Sequence, residues 1–100
     1  MGEGEIVVLY GDVVGMVDIW SSVKLKERLR LHREIIVVRR RPTERVYEEA
    51  NKGGVEIVVA DDPKREAKKL LKSLTNKEGR GVRMKKIEEV GDRSLMLDPC

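Results

Sequence analysis

A chain of 100 residues makes one domain, with a single core that buries roughly 65% of the unfolded surface. Charged residues are 39% of it, well above the usual ~25%, yet the net charge is only +3, which permits an acidic partner such as nucleic acid without demanding one. A single Cys (Cys100), an acidic first few residues and no apolar run of about 18 residues argue against a disulfide scaffold, a secretory leader and a membrane helix, and predict a cytoplasmic protein. Abundant Lys, Arg and Glu, no Gln, and Asn only at positions 51 and 76 form the composition expected of a protein from a hot environment.

In chain order, residues 1–4 read as a frayed start. Ile6-Val7-Val8-Leu9 is a continuous run of strand formers that ends at Tyr10-Gly11-Asp12. Apolarity without alternation means that both faces of the strand are covered, the habit of parallel sheets. From Asp12 to about Leu31 the pattern is helical but irregular. Val13, Val17, Trp20 and Val23 follow steps of three and four, and Leu25 and Leu29 make a second pair. Gly15 and Ser21-Ser22 interrupt the pattern, so either one helix starts near Asp12 or a loop runs to Ser22 and a shorter helix follows; the second is favoured, with Ser22 as N-cap.

Ile35 to Val38 is a second buried strand, running into Arg39-Arg40-Arg41 and Pro42. A helix then carries Val46, Tyr47 and Ala50 toward the sheet, and Asn51-Lys52-Gly53-Gly54 stops it. Val55 to Ala60 is the third strand. Asp62 is placed to cap a third helix, Pro63 to occupy its first position, and Ala67, Leu70, Leu71 and Leu74 to form its buried stripe. Val82 to Lys85 alternates like an edge strand. Residues 91–100 hold one apolar knot, Leu95-Met96-Leu97, read as a short fifth strand or a peripheral tail.

The order βαβαβαβ predicts an α/β three-layer sandwich: a four-stranded, mostly parallel sheet with helices on both faces. The flavodoxin-like strand order 2-1-3-4 is expected, with a ligand crevice between the first and third strand ends. Three groups of charge would reach that edge. Asp12, Asp61 and Asp62 are candidate Mg²⁺ ligands, because this ion takes one or two carboxylates and leaves the rest to water and phosphate oxygens. Arg39, Arg40, Arg41, Lys64 and Arg65 are candidate phosphate or nucleic-acid contacts. Asp62 also serves as an ordinary cap, and the arginine run also reads as a solvated strand end. Other chemistry is thin. His32 has no ligand partners, Ser21-Ser22 has no neighbouring His, and Gly11 and Gly15 fit neither the dinucleotide fingerprint nor a P-loop.

The stretch from Ile57 to Glu66, followed by Ala67-Lys68-Lys69-Leu70-Leu71, resembles the acidic motif of Toprim domains, found in topoisomerases, primases, small nucleases and compact archaeal proteins. The resemblance covers roughly residues 5–90 in element order and implies Mg²⁺-dependent phosphoryl-transfer chemistry. Where that family has a Glu at its first strand end, this chain has Leu9-Tyr10-Gly11. Where the family's second Asp follows, this chain has Lys64 after Asp62-Pro63. Only Asp62 carries over, so the resemblance implies a domain without catalysis. Receiver-like domains, and a small flavodoxin-like subunit of rotary ATPases whose first strand ends in Gly-Asp, are also similar. Three functions follow: a Toprim-like phosphate- or nucleic-acid-binding domain; a protein-interaction module or small subunit, a homodimer included; and a Mg²⁺-dependent phosphotransferase or nuclease.

Overall fold

The computed structural model describes residues 4–79 and 81–87. The elements in order are β1 (Ile6–Gly11), α1 (Met16–Leu29), β2 (Arg33–Val38), α2 (Glu44–Lys52), β3 (Val55–Val59), α3 (Pro63–Glu78) and β4 (Val82–Lys86). All strand pairings are parallel. The α/β sandwich expected from the sequence is therefore the fold. The reading of residues 91–100 as a strand or tail lies outside the described residues, as does Cys100.

The strand order is β3-β2-β1-β4, which corrects the 2-1-3-4 order expected from the sequence. Both orders satisfy right-handed crossovers, and neither loop length nor apolar pattern separates them. What separates them is the face that each helix covers. Val7 and Leu9 of β1, with Ile36 and Val38 of β2, belong to a core shared with Ile19 and Leu25 of α1 and with Val46 and Ala50 of α2. Ile6 and Val8, with Ile35 and Val37, pack instead with Ala67 and Leu74 of α3. Two successive crossovers on one face carry the sheet from β1 through β2 to β3. The third returns across the opposite face to place β4 beside β1. The reversal of direction, where open sheets receive ligands, therefore falls between β1 and β4 rather than between β1 and β3.

Local signals explain most helix ends. Thr43 caps α2, its hydroxyl accepting from the Val46 amide at 3.4 Å. Pro42 thus lies ahead of the helix rather than in its first turn. Gly54, at φ 74°, supplies the left-handed turn after α2 that a side chain would strain. α3 starts as expected, with Asp62 as N-cap and Pro63 in the first turn. α1 does not. It begins at Met16 with Gly15 as N-cap, seven residues before the expected cap Ser22. The Asp18 carboxylate accepts from the Gly15 amide at 2.9 Å and fixes the first turn. Ser22 is fully buried instead of capping.

Among the described residues, one charged side chain lies wholly inside. Glu34 on β2 has 0% exposure, and neither carboxylate oxygen has a hydrogen-bond partner among them. Its strand neighbours are Val7 and Val55, both buried. Burial pushes its carboxyl up to about 8, with the positive charge of Lys26 opposing. Neutral Glu34 is therefore tolerated and ionised Glu34 is not. Since the folded value lies above the unfolded one, the folded state holds the proton longer. Stability is intact below pH 4.5, falls as pH rises, and stops falling above about 8. The full loss is on the order of 5 kcal/mol, comparable to the stability of a whole small domain. Glu34→Leu is expected to raise the melting temperature at pH 8 by roughly 5 °C or more and to flatten its decline with pH. An unchanged decline, followed by circular dichroism, would show that Glu34 is not its source.

Candidate functional site

The carboxyl ends of the strands and the starts of all three helices share one edge of the sheet. β1 and β2 run to the same level, with Gly11 opposite Val38. Past them, the amides of Arg39 and Arg40 both donate to the Asp12 carbonyl, at 3.1 and 3.0 Å. The Ala60 amide donates to the Val38 carbonyl at 2.9 Å and ties the β3 exit to the β2 exit. The rim is thus one connected backbone network from Asp12 to Asp61. On the β4 side it is closed by packing. Gly11 lies so close to the Ile87 side chain that a Cβ there would collide with it.

The candidate acids are dispersed along this rim. Asp12 follows β1, Asp61 and Asp62 follow β3, and β2 lies between. Two strand spacings make roughly 9–10 Å, too far for carboxylates to share one small ion by default. All three are exposed, and among the described residues no group of three acids, His or Cys is arranged to hold a metal ion. Asp62 has a structural task, since its Oδ1 accepts from the Arg65 amide at 3.2 Å. Asp61 has no hydrogen bond or ion pair among the described residues.

The candidate cations gather more closely. Arg39, Arg40 and Arg41 follow β2, while Lys64 and Arg65 open the helix after its neighbour β3, and all five are exposed. Arg41 lies over the Tyr47 ring, 5.5 Å from its centre. The others have no anionic partner among the described residues. By contrast Arg33 and Glu56 form a two-pronged pair across β2 and β3, both bonds 2.8 Å. That hydrogen bond is the main reason the Glu56 carboxyl is held below its usual range.

A second surface stands out on α1. The residues that face the core are Ile19, Ser22 and Leu25. Val13, Val17 and Trp20 face water, at 54%, 62% and 53% exposure. Val17 and Trp20 lie on the outside of the helix, and Val13 lies just ahead of it toward the rim. Beyond Trp20 comes a groove between α1 and α2, lined by Val23, Lys24, Glu27, Glu49, Lys52 and Gly53. Gly53 is what lets the two helices approach, because a Cβ there would collide with Val23. The structure divides the sequence run Val13, Val17, Trp20 and Val23, with Val23 packed against the core and the other three exposed. The signal for the buried face is the set Ile19, Ser22, Leu25 and Leu29.

The two rim acids can be told apart by stability. Asp62→Ala is expected to cost about 1 kcal/mol through loss of the cap, and Asp61→Ala less than about 0.5 kcal/mol. Urea unfolding of both variants checks this. A large loss for Asp61→Ala would reveal a structural contact for that side chain.

In comparisons with known proteins, no family model, no curated protein and no solved structure matches this chain. Its function is therefore read from the two surfaces just described.

Proposed function

We propose that this protein is an interaction module without chemistry of its own, docking a protein partner on the outer face of α1. The observation that carries this reading is the exposed stripe Val13, Val17 and Trp20. Single exposed apolar residues are ordinary. Three exposed apolar residues within eight positions, one of them Trp at the edge of a groove with charged walls, fit the pattern of an interface core inside a polar rim. Trp is also the residue type most often found to dominate binding energy. Catalysis has weaker support, since the acids are spread along the rim and, among the described residues, no group of three acids, His or Cys is placed to hold a metal ion.

A second reading is favoured by the cations of the rim. Arg39, Arg40, Lys64 and Arg65 project from neighbouring strand ends without anionic partners among the described residues. Such a group suits the spaced phosphates of nucleic acid, bound without regard to sequence. Binding to a labelled oligonucleotide should then fall steeply with salt. Replacing Arg39 and Arg40 by Ala should lower the slope of log K against log salt by roughly 2. Absence of binding at low salt would end this second reading.

The docking reading makes its own prediction about folding. Residues kept for a partner contribute little to the core, so Val17→Asp should retain native circular dichroism and a cooperative melt. Ile19→Asp, two positions away, buries a charge and should abolish the fold. If Val17→Asp unfolds the chain as Ile19→Asp does, the stripe is structural and the docking reading falls.

A further inference from the structure

The outer face of α1 is complementary to itself. On α1, Val17, Trp20, Lys24 and Glu27 succeed one another by steps of three, four and three, the seam spacing of helices that pack side by side, and Val13 lies in the turn just ahead of the helix. All five are exposed. The apolar residues come first, then a cation, then an anion. At the opposite end, just ahead of Val13, stands exposed Asp12, and next to it Arg39 and Arg40, whose amides bond its carbonyl. One end of the seam thus offers an anion followed by cations. The other offers a cation followed by an anion. Reversed end for end and laid on itself, the seam sets Val17 against Trp20 at its centre and, beyond them, Lys24 near Val13 and Asp12 and Glu27 toward Arg39 and Arg40.

That property is what a two-fold contact requires: residue i meets residue j, and j meets i. We infer that the occupant of this face is a second copy of the chain, with the two α1 helices antiparallel about an axis between Val17 and Trp20. The inference rests on the docking reading of the stripe. In this arrangement Val17 of each copy packs on Trp20 of the other. Lys24 comes to Val13 and Asp12 of the second copy, and Glu27 comes toward its Arg39–Arg40 turn. An unrelated partner has no need of a charge order that reverses from one end of the helix to the other. α1 has 14 residues and so is about 21 Å long. A single helix pair of this length lies at the small end of specific interfaces, below about 1,200 Å². The dimer is therefore concentration-dependent rather than obligate.

Light scattering or sedimentation over a dilution series tests the inference on the full chain. The mass is expected to rise from one copy to two between micromolar and millimolar protein. Val17→Asp, which sets two carboxylates near the axis, should weaken association at least roughly tenfold. Lys24→Glu, opposing Asp12 of the second copy, should also weaken it, and Asp12→Lys added to Lys24→Glu should restore it. The charge pair keeps the test open even if Val17→Asp does not fold. A wild-type chain that remains a monomer throughout overturns the second copy as occupant, and a folded Val17→Asp would then leave the docking reading standing. A dimer indifferent to both charge reversals overturns the two-fold arrangement.

Discussion

The first strand sets the constraint on which the rest depends. Ile6, Val7, Val8 and Leu9 are all fully buried, so successive side chains point to opposite faces and neither face meets water. A strand of this kind must sit inside the sheet and must be covered above and below. β2 and β4 flank it, α1 and α2 cover one face, and α3 covers the other. β2 obeys the same rule, with Ile35 to Val38 all buried. β3 and β4 are the edges, and their mixed exposure is the sequence trace of that position.

Coverage of both faces also explains where the charge went. With the interior taken up by two apolar layers, nearly every charged side chain is on the surface. Glu34 is the exception, and its position shows why it stays. It occupies a β2 site between Val7 and Val55, where the strand pattern demands an apolar residue. Its carboxyl is accommodated by keeping its proton, and the positive charge of Lys26 opposes that. Burying the neutral acid without a hydrogen-bond partner still costs desolvation, but far less than burying the carboxylate ion.

Much of this was legible in the sequence. Four strands, the Asp62-Pro63 helix start and the Ala67-to-Leu74 stripe follow from local patterns, because each depends on residues within a turn or two of one another. Strand order did not follow, because it is a property of which helix covers which face. Ile6 and Val7 look alike in sequence although they pack against different helices. The layout of the rim follows from that order. With β3 next to β1, Asp12 and Asp61 would stand at adjacent strand ends; here β2 lies between them. The arginines after β2 and the cations that open α3 follow neighbouring strands.

The helix that was misread is also the most informative one. α1 carries apolar residues on two sides, and periodicity alone cannot say which side meets the sheet. The regular run Val13, Val17, Trp20 and Val23 is the natural choice for the core. The structure buries Ile19, Ser22 and Leu25 instead, with Val23 packed against the core and the other three exposed. A helix that only needed to cover a sheet would gain solubility from charge on its outer side, as α3 does with exposed Lys64, Lys68 and Lys72. α1 places charge there only after Trp20, at Lys24 and Glu27. The simple amphipathic reading thus fails on α1 because apolar residues lie both on its buried face and on its exposed face. Local and global signals disagree along this helix, where elsewhere in the described residues they mostly coincide.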